Sequence, residues 1–222
     1  MRRTKRKSGF IRGGLLTISL IILMSILSHM PFAENIQSNS TAKSKQDLLV
    51  LVNKANKIPD NYNANLIVYE DSEMSELLLE DLKKMRDTAE KQGINIYIDD
   101  AYRSKQEQEK VFNNTINKYI KQGSTQNAAK EKAKQIAALP GYSEHETGLA
   151  IDFSLRSNPQ DQEQMWQWLK GNAYKYGFIL RYPEGKEHIT GYSNEPWHYR
   201  YVGKKHAKTM YEKGIVLEEY LN

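Results

Sequence analysis

Cysteine is absent from the 222-residue chain. That removes disulfides, thiolate metal sites and a cysteine nucleophile, and it leaves no thiol for lipid attachment. Acidic residues are absent from the first 33 positions, where Arg2, Arg3, Lys5, Arg6, Lys7 and Arg12 carry all the formal charge. Without those six, Lys plus Arg falls from 32 to 26 against 27 Asp plus Glu, so a net +5 becomes −1. The basic balance belongs to the terminus, and nothing in the charge of the body points to nucleic acid. A long apolar run is also missing. The longest, Leu15–Leu27, has thirteen residues, fewer than the roughly 20 that a spanning helix needs. No internal repeat is visible.

What is present at the N-terminus fits export. A basic region followed by a short apolar run is the pattern of a signal segment. Pro31-Phe32-Ala33 marks a possible cut, and retention of the segment as a membrane anchor is the alternative. In either case the basic flank stays inside and the body goes outside. We therefore expect 1–33 to be a signal peptide or anchor helix that meets the membrane. The Ser-, Asn-, Lys- and Gln-rich stretch 34–46 is expected to be a flexible linker, and 47–222 a single domain. The expected location is extracytoplasmic, anchored to the membrane or secreted to a bacterial cell wall.

Within the domain, Leu48–Val52 reads as a short buried strand. Met74, Leu78, Leu82, Met85 and Ala89 recur at steps of three and four, which predicts a helix over Ser72–Gln92 stopped by Gly93. Ile94, Ile96 and Ile98 alternate with polar residues as a half-buried strand does. Helices are predicted over Lys105–Lys121, Thr125–Leu139, Gln160–Tyr176 and Lys204–Lys213. Strands are predicted over Leu149–Leu155, Phe178–Tyr182 and Trp197–Val202. Helices and strands mix without a βαβ rhythm, so the expected class is α+β with a central, mainly antiparallel sheet flanked by helices.

The chemistry concentrates in two stretches. Asp152 ends the apolar segment Leu149-Ala150-Ile151-Asp152, and a carboxylate there is costly to bury without a cation. His145 lies seven positions upstream, in a polar loop opened by Pro140-Gly141. Far downstream, Glu195-Pro196-Trp197-His198 supplies a second histidine and a glutamate. His145 alone would read as a surface loop histidine and Asp152 alone as a turn-capping carboxylate. Together with His198 they supply three protein ligands, the number a catalytic zinc keeps when its fourth position holds water. Glu195 is then left over as a base. His188 and His206 have no such company.

These residues carry a resemblance. Ser143-x-His145-x-x-Gly148-x-Ala150-x-Asp152 followed by Glu195-x-Trp197-His198-x-Arg200 resembles the zinc D,D-carboxypeptidases of the VanY type, which act on cell-wall stem peptides. Tyr102-Arg103-Ser104 with Gln108 matches a third block, and Gly177–Pro183 and Thr190–Tyr192 match further stretches. The resemblance implies the α+β fold shared with hedgehog-type domains. It implies one zinc per chain on His145, Asp152 and His198, with Glu195 as general base and acid. Arg103 would hold the scissile carbonyl or its oxyanion, and Ser143, Gln108 and Tyr102 would line the substrate site. The implied substrate is a peptidoglycan stem pentapeptide that loses its terminal D-Ala, which would remove the target of glycopeptide antibiotics. Alternatives are an L,D-carboxypeptidase on tetrapeptide stems, a stem endopeptidase, or an inactive zinc-bearing wall-binding domain. A monomer is expected. The chain departs from the family at Asp100-Ala101, where relatives carry Ser-Gly, and at Lys105-Gln106. Those changes bear on substrate preference rather than on the metal.

Overall fold

A computed structural model describes residues 47–154 and 159–222. The expected export segment and linker lie outside the described residues, as does Leu155. Among the described residues no helix is long and apolar enough to cross a membrane.

Among the described residues the first elements are an antiparallel pair, β1 (Leu66–Tyr69) and β2 (Ser72–Ser75). Ser75 ends β2 and caps α1 (Glu76–Glu90), its side chain accepting from the Leu77 N–H. This shortens the helix expected from Ser72: the first four residues pair with β1 instead. The apolar stripe behaves as its spacing predicts, with Leu78, Leu82, Met85 and Ala89 all fully buried. After β3 (Tyr97–Asp100), α2 (Lys105–Lys121) and α3 (Gln126–Ile136) form a helical hairpin around Phe112, Ile116, Ala129, Ala133 and Ala137. A 3₁₀ turn (Glu144–Thr147) leads into β4 (Ala150–Ser154). Then come α4 (Pro159–Asn172), β5 (Phe178–Leu180), the one-turn α5 (Glu187–Thr190) and β6 (His198–Tyr201). Two helices, α6 (Lys204–Lys213) and α7 (Leu217–Leu221), finish the chain.

The four longer-range strands form one antiparallel sheet in the order β3-β4-β6-β5. Side chains alternate across it, as the two-residue strand period requires. Ile151, Phe153, Phe178, Tyr199 and Tyr201 enter the core beneath α1 and α4, with Leu82, Met85, Met165 and Leu169. Ala150, Asp152, His198 and Arg200 fall on the opposite face, set by the pairings Ala150 with Arg200 and Asp152 with His198.

Three local expectations change. Leu48–Val52 is not a strand: the Arg200 guanidinium takes the Leu48 and Val50 carbonyls at 3.2 and 2.9 Å, so a side chain satisfies this backbone where a ladder would. Ile94 and Ile96 are buried as their alternation suggests, but pairing begins only at Tyr97. β1 and α7 were not legible as elements. His206 is also less isolated than its lysine-rich surroundings suggest, since its Nδ1 lies 2.7 Å from the Tyr220 hydroxyl.

Candidate metal centre

Three elements bring the ligand candidates together. β4 and β6 set Asp152 directly opposite His198 on one sheet face, the separation at which cross-strand side chains touch. His145 comes from the 3₁₀ turn before β4. That turn ends on Gly148 at φ +69°, a left-handed conformation natural to glycine. A Cβ there would fall 2.9 Å from Leu66 Cδ2 and 3.1 Å from the Ser75 nitrogen. The Gly148 carbonyl accepts the Ser75 N–H at 2.9 Å, so the turn carrying His145 is wedged against the start of α1.

One nitrogen of each imidazole and one Asp152 oxygen lie within 4.8 Å of one another. His145 Nε2 is 3.5 Å and His198 Nδ1 2.8 Å from Asp152 Oδ1. Ligands bound at about 2.0–2.2 Å in a tetrahedron sit roughly 3.3–3.6 Å apart, so one ion fits among these three with small adjustment. The outer nitrogens are already engaged. His145 Nδ1 donates to the Ala101 carbonyl, and His198 Nε2 faces Glu144 Oε2 at 3.4 Å. That leaves His145 Nε2 and His198 Nδ1 to offer lone pairs inward, the arrangement of a metal-binding histidine.

The electrostatics favour a cation. Burial opposes ionisation of Asp152, but His145 and His198 outweigh it and hold the carboxyl well below the usual range. Burial likewise opposes a charged His198, yet Asp152 and Glu144 raise its pKa to about 10. A pocket that draws protons this strongly also draws a divalent ion.

Glu195 approaches through a β-turn. The His198 N–H donates to the Glu195 carbonyl at 3.1 Å, closing Glu195-Pro196-Trp197-His198 with proline at the second position it favours. The Glu195 carboxylate makes no hydrogen bond or ion pair with another described residue. Desolvation raises its pKa, aided by Asp152 and opposed chiefly by His198. A half-buried carboxylate with elevated proton affinity is a suitable general base.

These groups line a cavity of about 290 Å³ together with Arg103, Gln108, Ser143, Tyr182, Tyr192 and Trp197. Arg103 Nη1 donates to Gln108 Oε1 at 2.8 Å, and its Nε lies 3.1 Å from Asp100 Oδ2. Gln108 in turn donates to the Ala138 carbonyl at 2.8 Å. Arg103 is thus held by Gln108 through Nη1, with the Asp100 charge beside Nε, and lines the cavity. Tyr102 is half-buried, gives its backbone N–H to the Glu73 carbonyl, and is not among the cavity-lining residues.

With this geometry in hand, likeness to known proteins is specific. The VanY family model, D-alanyl-D-alanine carboxypeptidase, matches residues 71–204. The chain belongs to this family. A D-alanyl-D-alanine carboxypeptidase of Enterococcus faecalis is 37% identical over 197 residues, covering 86% of this chain and 74% of the relative. Two solved structures of VanY from the VanB-type cassette, a glutamate-to-alanine variant with Zn(II) and a complex with D-alanine-D-alanine, superpose with a TM-score of 0.75 at 38% identity. They cover 78% of this chain and 98% and 97% of their own. The LD-carboxypeptidase LdcB superposes with a TM-score of 0.68 at 38% identity, over 79% of this chain and 86% of its own. The α+β architecture expected from the sequence is that of the VanY family.

Several VanY-site residues escaped the sequence reading. Tyr182 stacks on His198 with ring centroids 4.9 Å apart. Tyr192 is 5% exposed, lines the cavity and has no partner for its hydroxyl among the described residues. Asp100, noted as a departure, is the group beside the Arg103 Nε. Glu144, Arg181 and Arg200 form a buried ion cluster behind His198. The available signal was charge inside apolar strands: Arg181 follows Phe178-Ile179-Leu180, and Arg200 stands between Tyr199 and Tyr201.

Proposed function

We propose that this protein is a zinc-dependent D-alanyl-D-alanine carboxypeptidase that removes the C-terminal D-Ala from peptidoglycan stem pentapeptides. The observation that carries this reading is the convergence of His145, Asp152 and His198 on one point, beside a cavity that also holds Glu195 and Arg103, in a chain of the VanY family. The relatives' zinc and D-alanine-D-alanine complexes support the choice of metal and substrate.

Bound by these three side chains, zinc supplies Lewis acidity toward the scissile carbonyl and makes water a better nucleophile. Glu195 takes the proton from the attacking water and returns it to the leaving amine of the terminal D-Ala. The role needs a carboxylate that is basic enough to accept a proton yet ionised at working pH. Arg103, permanently charged, meets the negative charge that develops on the carbonyl oxygen. With Nε beside Asp100 and Nη1 on Gln108, its guanidinium is held in place at the cavity wall. Gln108 acts through Arg103 and keeps one amide N–H for the substrate, while Ser143 shapes the wall next to it.

The same reading places the chain outside the cytoplasm, on its wall substrate, with 1–33 as the export segment or membrane anchor, 34–46 as the linker and a monomeric domain beyond. Removal of the terminal D-Ala destroys the glycopeptide target, so a contribution to resistance follows. The test is incubation of the zinc-loaded protein with pentapeptide and tetrapeptide stems, followed by mass spectrometry. Loss of one D-Ala from the pentapeptide alone is expected. Cleavage of the tetrapeptide alone would move the assignment to an L,D-carboxypeptidase, and an internal cut to an endopeptidase. No product from either would reduce the site to a binding module.

A further inference from the structure

Behind the metal centre lies a buried ion cluster that the hydrolytic steps leave unused. Glu144 is 3% exposed, and Arg181 and Arg200 are 0% exposed. Glu144 Oε1 accepts from Arg181 Nε and Arg200 Nη1, each at 2.8 Å, while its Oε2 faces His198 Nε2. Arg181 extends the cluster with a two-pronged contact to Glu218 at 2.9 and 2.6 Å, and Glu218 also accepts from Asn53. Arg200 spends its remaining donors on backbone carbonyls, those of Leu48 and Val50 among them. Two guanidiniums therefore meet two carboxylates, and the set is neutral.

We infer that Glu144 is a positioning residue for the ligand His198. The inference rests on the reading of His145, Asp152 and His198 as a metal centre. Tyr182 stacks on the His198 ring at an interplanar angle of 29° and fixes its plane. Stacking does not choose which nitrogen carries the proton. Glu144, which when ionised can only accept, makes that choice once an ion displaces the proton that Nδ1 shares with Asp152: it holds the other proton on Nε2 and leaves the Nδ1 lone pair to the ion. The two arginines fix the carboxylate in turn, one oxygen taken by both guanidiniums and the other aimed at the ring. Glu144 has a second effect through charge. Without it, two buried cations against the single Glu218 carboxylate leave an uncompensated positive charge behind His198, which opposes binding of a divalent ion.

The test uses the metal-stripped full-length protein and its Glu144→Gln and Glu144→Asp variants. Zinc affinity is measured by chelator competition, the His198 tautomer by ¹⁵N NMR of the imidazole after zinc is added back to saturation, and folding by circular dichroism. The glutamine amide can donate to Nε2 and shift the proton to Nδ1, so Glu144→Gln is expected to bind zinc roughly 10- to 100-fold more weakly, the usual range for such outer partners. Its His198 tautomer is expected to change, and Glu144→Asp to recover part of both effects. A folded Glu144→Gln variant with wild-type zinc affinity and wild-type tautomer would overturn the inference and leave Glu144 a purely structural ion. If the single variant does not fold, Glu144→Gln together with Arg181→Gln removes one charge of each sign and carries the same measurement, with the same two outcomes. A wild-type protein that binds no zinc would instead overturn the metal-centre reading, and this inference with it.

Discussion

The two faces of the four-stranded sheet are made by the same few residues and obey opposite rules. On β6, His198 and Arg200 look toward the site while Tyr199 and Tyr201 look into the core. On β4, Asp152 faces the site and Ile151 and Phe153 face α1 and α4. The core face is held by area removed from water and by close packing, so its energy is spread over many interchangeable contacts. The site face is held by a small number of directed, charged contacts, each of which leaves an expensive orphan if its partner is removed. Changes on one face should therefore be read in zinc and turnover, and changes on the other in stability alone.

The strongest way to break that division is at Glu195. Its carboxylate has no hydrogen bond or ion pair to another described residue, so Glu195→Ala removes a proton carrier and little else. Turnover is expected to fall by roughly 10²–10⁴, the usual worth of positioned acid-base catalysis, with one zinc per chain retained. Metal analysis beside stem-peptide kinetics checks it; wild-type turnover would reject the base assignment. Next in size is Arg103→Lys. Loss of one oxyanion donor costs roughly 10²–10³ in turnover, and lysine retains the charge but not the fork that Asp100 and Gln108 grip. A fall of up to that size in kcat is expected, with zinc content unchanged. Full activity would show that guanidinium geometry is irrelevant.

The core face supplies the contrasting measurement. Leu169 on α4 is fully buried against the sheet, in the cluster that holds Phe153 and Tyr199. Leu169→Ala is expected to cost about 2–5 kcal/mol of stability, seen as a lowered midpoint in denaturant. Zinc stoichiometry and turnover per folded molecule should stay at the wild-type level. If turnover falls in step with stability, the two faces are coupled and the division fails.

Much of this was legible in the chain because its patterns are local. α2 and α6 fall on the ranges predicted for them, Lys105–Lys121 and Lys204–Lys213. The stripe from Leu78 to Ala89 is buried as its period requires, while Met74 is buried from β2 instead. His145, Asp152, His198 and Glu195 could be picked out because their residue types are expensive without a shared purpose. What stayed hidden depends on contacts between distant segments. Leu48–Val52 looks like a strand, but its carbonyls are claimed by Arg200, about 150 positions away. Ser72–Ser75 looks like helix until β1 is there to pair with it. Glu144 looks like any loop glutamate, and only the arrival of Arg181, Arg200 and His198 gives it a role. Gln108 was placed at the site only by the family resemblance, which did not show that it holds Arg103 from α2.

The smallest expected effect tests the site face for strain. In the metal-free protein, desolvation raises the Glu195 pKa above its ordinary value, with Asp152 adding to the shift. A carboxyl whose folded-state pKa is raised favours the folded state when protonated, and that contribution disappears as pH rises through the folded value. At neutral pH the ionised Glu195 is therefore a net cost to folding. Glu195→Gln removes the charge at nearly constant shape, so the metal-free variant is expected to melt slightly above metal-free wild type at neutral pH. The difference should close as the pH falls below the carboxylate range, where wild type is protonated too. Zinc adds positive charge to the cavity and stabilises the ionised glutamate, so loading with metal should shrink the advantage of the variant. Calorimetry of both proteins, with and without zinc and at two pH values, decides it. A variant that melts lower than wild type in the metal-free state would mean that Glu195 has a partner when ionised, and that the site face is not strained in its base.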